Sequence, residues 1–180
     1  MTSKKRSMED LNRMSAEDFK QSIKYPFVVV LDNVRSMNNV GSVFRTCDAF
    51  RISEIYLCGI TAQPPHKDIE KTALGATQSV KWNYFDSTCK AVTDLIDDNY
   101  AVFAVEQVEQ SVMLDEFDLD KYKKMALIFG NEVLGVQQDV INLCHGCIEI
   151  PQFGTKHSLN ISVSVGITLW HAIYLYNRKK

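Results

Sequence analysis

The chain contains no Gly-x-Gly pair: its eight glycines, at positions 41, 59, 75, 130, 135, 146, 154 and 166, include no two separated by a single residue. A dinucleotide fingerprint is thereby excluded, and no phosphate-cradling P-loop is present either, since no glycine is followed by the Lys-Ser/Thr pair that motif requires. Prolines number only four, and no Pro/Gly-rich linker, internal repeat or low-complexity segment divides the 180 residues. Five cysteines, an odd and scattered set, do not make the dense framework of a small disulfide-rich domain, so reduced thiols are expected. Cys144 and Cys147 have C-x-x-C spacing, but a zinc site needs a second ligand pair and none is present. Packing is the expected role of this pair, and no metal is expected.

Long hydrophobic runs are also missing. No stretch approaches the roughly 20 apolar residues of a membrane span, and no signal-peptide core opens the chain, so the expectation is a cytoplasmic protein without a membrane partner. Neither charge sign dominates: 20 Lys and Arg against 22 Asp and Glu leave a net charge of −2. Bulk electrostatics therefore neither attract nor repel a nucleic acid. Local basic runs occur at Lys4 to Arg6 and at Arg178 to Lys180, and charge pattern alone reads them as solvated tails.

What is present is a regular alternation. Residues 1–24 are polar, and Ser15 to Asp18 offers a capping box ahead of Phe19 and Ile23, which predicts a short helical lead-in. The remainder, 25–180, reads as one domain. Apolar runs at Phe27 to Leu31, Ile55 to Ile60, Tyr100 to Val105, Met125 to Phe129 and Cys147 to Ile150 predict five strands buried on both faces. Helical periodicity at Val40 to Phe50, Lys90 to Asp97 and Val136 to Leu143 supplies crossovers, and a long helix is predicted from near Ser158 through Tyr174. This pattern predicts an α/β fold with a mainly parallel sheet and helices on both faces.

Three stretches carry candidate chemistry. In the first, residues 31–50, a strand end runs through a polar loop into a helix that Asn38 or Asn39 would cap, with Arg45 further along. Asn39 as a cap and Arg45 as a surface charge is the structural alternative. In the second, residues 127–136, a buried strand meets Gly130 and Gly135 on either side of Glu132. Glycine there permits close approach of a ligand to backbone at the carboxyl end of a strand, although Glu132 equally suits a helix cap. In the third, residues 148–163, Ser158 and Asn160 stand where caps stand, but apolar Leu159 between them suits contact with a planar ligand.

Together, and with Lys71, Gly75 and Ala76 between them, these stretches resemble the SpoU, or TrmH-like, branch of the SPOUT RNA methyltransferases, in order and in spacing from Phe27 to Tyr174. The resemblance implies a C-terminal trefoil knot, an exception to the rule against threaded chains. It implies S-adenosyl-L-methionine as cofactor, held by Gly130, Ile150 and Leu159, and transfer of its methyl group to a ribose 2′-hydroxyl of tRNA or rRNA. It places Arg45, Asn39, Glu132, Ser158 and Asn160 at the catalytic centre: Arg45 on the ribose and its phosphate, Asn39 and Asn160 as hydrogen-bonding groups, Glu132 ordering a loop or an arginine. It further implies a homodimer with part of the last helix at the interface. The alternative is a non-catalytic RNA-binding paralogue of the same fold, against which the presence of all these residues argues.

Overall fold

A computed structural model describes residues 3–7 and 9–178; Lys179 and Lys180 of the basic C-terminal run lie outside the described residues. The lead-in forms helix α1 (Ala16–Gln21), capped as expected by the Ser15 hydroxyl, which accepts from the Asp18 N–H. Phe19 anchors it in the core at 5% exposure.

Strand β1 (Tyr25–Asp32) shows why a parallel sheet produces a continuous apolar run. Phe27, Val29 and Leu31 point into one core cluster, and Val28 and Val30 into the other. Side chains alternate along a strand, so a strand covered on both faces has no polar side to show. The first cluster is closed by α2 (Met37–Ala49), α3 (Lys67–Ala73), α4 (Ala76–Ser79) and α7 (Ile161–Asn177), through residues such as Phe44, Ile69, Ala76 and Leu169. The second is closed by α5 (Thr88–Asp97) and the single turn α6 (Gln138–Ile141), through Val92, Leu95 and Val140.

The sheet has seven strands and every pairing is parallel. Besides β1 these are β2 (Ile52–Cys58), β3 (Trp82–Phe85), β4 (Ala101–Val105), β5 (Val112–Met113), β6 (Met125–Phe129) and β7 (Gly146–Glu149). Their spatial order is β3-β2-β1-β6-β4-β7-β5. Thus β6 enters between β1 and β4, and β7 between β4 and β5, positions flanked by strands that precede them in the chain.

Five strands were expected and seven are found. Strand β3 is half exposed along its length and β5 is two residues long, so neither leaves an apolar run to read. The strand expected to reach Ile60 stops at Cys58, because Gly59 turns the chain with φ +61°. The helix expected over Val136 to Leu143 shrinks to one turn. The N–H of Val136 is held by the Glu106 carboxylate and that of Gln137 by Asp32, which keeps both residues outside the helix. The last helix begins at Ile161, three residues later than expected.

Candidate active site

Because all strands run the same way, the chain leaves β1, β4, β6 and β7 at one edge of the sheet. This is where open α/β sheets bind ligands. A cavity of about 680 Å³ lies at that edge, lined by Glu106 after β4, Gly130 after β6, Ile150 after β7, the loop 131–136, and Ser158, Leu159 and Asn160 ahead of α7.

The loop after β6 is built for close packing. A Cβ on Gly130 would stand 2.1 Å from backbone atoms of Gly135 and Val136, a distance no side chain tolerates. Gly135 has φ +67° and lies against the Glu106 carboxylate, which accepts from the Val136 N–H at 2.9 Å. Asn131 closes the turn: its backbone pairs with Gly135, and its side-chain oxygen accepts from the N–H groups of Val133 and Leu134. Its amide donates to the Asn33 carbonyl at 2.7 Å, joining this loop to the one after β1.

Glu132 makes the second junction. Its carboxylate accepts from the backbone N–H groups of Arg35 and Ser36 and from the Asn39 amide, each at 3.0 Å. Partial burial alone would raise its pKa. The N–H groups of Arg35, of Glu132 itself and of Ser36, with the Asn39 amide, outweigh burial and hold it below the ordinary carboxylate value. Glu132 therefore clasps the loop after β1, and it does not cap the helix that follows it.

Asn39 is not a cap either, and nor is Asn38. Ser36 caps α2, its hydroxyl accepting from the Asn39 N–H, which leaves the Asn39 side chain available. That side chain donates to Glu132 and accepts from Asn160 Nδ2 at 3.2 Å. Asn160 does cap α7, its oxygen accepting from the Ser162 N–H at 2.9 Å. One chain of hydrogen bonds thus runs from Glu132 through Asn39 and Asn160 into α7, tying together all three stretches singled out in the sequence.

Of the residues expected at the site, Gly130, Glu132, Ile150, Ser158, Leu159 and Asn160 line one cavity, and Asn39 is bonded to two of them. Arg45 does not line it. Its exposed side chain borders a neighbouring apolar hollow of about 670 Å³ that shares Ile150 as a wall and is otherwise formed by residues such as Phe50, Leu114, Ile167 and Trp170. Arg45 makes no hydrogen bond or ion pair among the described residues. Sequence reasoning missed Glu106, Asn131 and the buried Asp32, whose carboxylate accepts from Thr88, Asn33 and the Gln137 N–H. Asp32 and Glu106 each stand at or just past a strand's carboxyl end, which was the available signal.

Cys144 and Cys147 form no disulfide, and no group of three or more His, Cys, Asp or Glu capable of holding a metal occurs among the described residues. Burial pushes the Cys144 thiol up to about 12, and its Sγ donates to the Val140 carbonyl. No helix among the described residues is long and apolar enough to cross a membrane.

Residues 26–170 match the model of the SpoU rRNA Methylase family. A tRNA (guanosine(18)-2′-O)-methyltransferase of Aquifex aeolicus is 32% identical over 149 residues, covering 81% of this chain and 67% of that protein. The enzyme of the same name from Thermus thermophilus is 28% identical, over 93% of this chain and 84% of its own length. The solved A. aeolicus TrmH/SpoU tRNA modifying enzyme superposes with a TM-score of 0.80 at 25% identity, over 91% of this chain and 83% of that one. An AdoMet-bound rRNA methyltransferase from Sinorhizobium meliloti superposes with a TM-score of 0.75 at 27% identity, over 87% of this chain and 60% of that one. With four-fifths of its length matched and its three site-forming stretches converging on one cavity, the chain belongs to the SpoU rRNA methylase family.

Proposed function

We propose that this protein transfers the methyl group of S-adenosyl-L-methionine to a ribose 2′-hydroxyl of tRNA or rRNA. The observation that carries the reading is the Glu132–Asn39–Asn160 chain, which locks three loops around one cavity at the carboxyl ends of parallel strands. Relatives named as tRNA and 23S rRNA guanosine 2′-O-methyltransferases support it.

The cavity suits this cofactor by its donor set. Its lining includes Glu106 and Glu132 but no lysine or arginine, which fits a sulfonium cation and would suit a polyphosphate poorly. Gly130 brings backbone to the cavity wall, and Ile150 and Leu159 offer apolar surface to adenine. When bound, the cofactor supplies an electrophilic methyl group. The protein must then orient a ribose oxygen in line with it and accommodate the proton that oxygen loses.

In this reading Arg45 holds the reacting ribose and its phosphate, since a guanidinium grips phosphate in a planar fork. A guanidinium does not deprotonate in proteins, so Arg45 orients and stabilises charge and does not act as the base. Asn39 and Asn160 point their amides in fixed directions because each has a partner at both ends, and Ser158 lines the same cavity.

Four further features belong to the same reading. The entry of β6 and β7 between earlier strands supports a C-terminal trefoil knot, from which Gly130, Ile150 and Leu159 all face the cofactor. A homodimer is supported by the exposed stripe Val163, Ile167, Trp170 and Tyr174 on α7. The methyltransferase domain spans 25–180, and 1–24 is a lead-in whose helix α1 docks through Phe19. Relatives from bacteria, whose RNA is modified in the cytoplasm, support a cytoplasmic location.

The test is incubation with methyl-labelled S-adenosyl-L-methionine and total tRNA and rRNA, followed by nucleoside analysis. A 2′-O-methylated nucleoside is expected. Label confined to a base, or none in either RNA, would overturn the reading.

A further inference from the structure

The segment joining β7 to α7 is anchored at its ends and bare in its middle. Ile150 and Leu159 line the cavity, and the His157 carbonyl accepts from Gln107 Nε2 at 2.9 Å. Between these anchors, residues 151–156 make no hydrogen bond to the rest of the protein among the described residues. Phe153, at their centre, is 97% exposed and touches no other ring among them. On the loop after β6, which rims the same cavity, Val133 is 76% and Leu134 is 83% exposed. Scattered apolar side chains on a surface are ordinary; a nearly naked phenyl ring on a segment whose two ends are anchored in a cavity wall is an apolar surface with something to cover.

The neighbours of Phe153 indicate what. Lys156 is exposed three residues on, and Gln152 and His157 flank the pair in sequence, so this short segment carries an aromatic plate, a cation and hydrogen-bonding groups. That combination suits a nucleotide with its base turned out, whose face stacks on the ring while its phosphate meets the ammonium. It does not suit the grooves of a continuous A-form duplex, where base faces are occupied by their neighbours. Resting on the methyltransferase reading above, we propose that Phe153 stacks on an unpaired base of the substrate RNA next to the reacting ribose, with Lys156 on the adjoining phosphate, so that the enzyme selects a loop and not a helical stem.

The probe is a short oligoribonucleotide carrying one central 2-aminopurine, used alone and annealed to its complement, with full-length protein. Fluorescence should be quenched on binding the single strand and not the duplex. Phe153→Ala should weaken single-strand binding on the order of tenfold or more and abolish quenching, and Phe153→Trp should restore both. Melting temperature and S-adenosyl-L-methionine affinity should match the parent protein, since the ring packs on nothing. Unchanged affinity in Phe153→Ala, equal quenching by the duplex, or a parent protein that ignores the single strand overturns the proposal. So does sedimentation showing that Phe153→Ala dissociates a dimer, which would assign the ring to a second copy of the chain. A parent protein that quenches the probe but methylates no RNA would overturn the methyltransferase reading and leave the stacking reading standing.

Discussion

Asn160 and Asn39, 121 residues apart in the chain, meet side chain to side chain, with Asn160 Nδ2 donating to Asn39 Oδ1 at 3.2 Å. Each amide is held in one orientation by its other partner. Asn39 must direct its NH₂ at the Glu132 carboxylate, and Asn160 must direct its oxygen at the N–H of Ser162. A side chain so constrained presents its groups in one direction, which is what positioning a ribose requires.

Asn39→Asp tests this arrangement with almost no change of shape. It puts a carboxylate oxygen where an N–H now faces Glu132 at 3.0 Å. Two like charges that close raise the pKa of the pair, and a shared proton restores the lost hydrogen bond. Methyl transfer relative to the parent protein should therefore be poorest near about pH 8 and recover toward about pH 5. A ratio that stays constant across that range would show that the Glu132 contact does not govern Asn39.

Glu132 also sets a pH dependence of stability. Its folded pKa lies below the ordinary 4.5, so its ionised form contributes stability that is fully present above that value and is lost as pH falls through the lower folded value. Glu132→Gln leaves a backbone donor of the loop after β1 facing an NH₂ group. At neutral pH this should cost about 1 kcal/mol, a modest figure because the residue is partly open to solvent. In urea titrations the gap between variant and parent should close only below about pH 4.5. A gap that closes between neutrality and that value would mean the carboxylate is not clasped as described.

The thiols should be quiet. Burial pushes Cys58 up to about 12 and Cys144 up to about 12, so at neutral pH almost none of either is thiolate, the form that reacts. Brief iodoacetamide treatment of the native protein should leave both unmodified by mass spectrometry, and treatment in denaturant should label both. Rapid native labelling of Cys144, or a Cys144–Cys147 disulfide under mild oxidant, would reopen a redox role for the pair.

What the sequence disclosed and what it hid follow from the range of the interactions. Strand β1 was legible because burial on both faces writes an unbroken apolar run, and the cap at Ser15 because it acts within three residues. Strand β3 was hidden because its side chains are largely solvated, and α6 was overestimated because Glu106 and Asp32, distant in sequence, hold Val136 and Gln137 outside the helix. The site shows the same division. Asn39, Glu132 and Asn160 were identified by resemblance to a family, but that they form one hydrogen-bonded chain depends on folding three remote loops together. The choice of Ser36 over Asn39 as the cap of α2 was not decidable locally, since either residue suits that position.

Arg45 is the residue on which the ribose reading leans most. It stands on α2 beyond the cavity at the strand ends, with Ile150 as a shared wall between that cavity and its own hollow, and its guanidinium engages no partner among the described residues. A cation so placed contributes little to stability and is free to grip a phosphate. Arg45→Ala should therefore keep the melting temperature and S-adenosyl-L-methionine affinity of the parent protein. It should lower methyl transfer by a factor on the order of 10² or more at saturating RNA and cofactor, as loss of positioning or charge stabilisation typically does. Arg45→Lys should recover only a small part of that, because a point charge does not reproduce the planar fork. Single-turnover rates separate this from weaker RNA binding: a positioning defect persists at saturation, whereas a simple loss of affinity disappears. If the alanine variant kept most of its single-turnover rate, Arg45 would be a surface charge and the reacting ribose would have to be held by other groups.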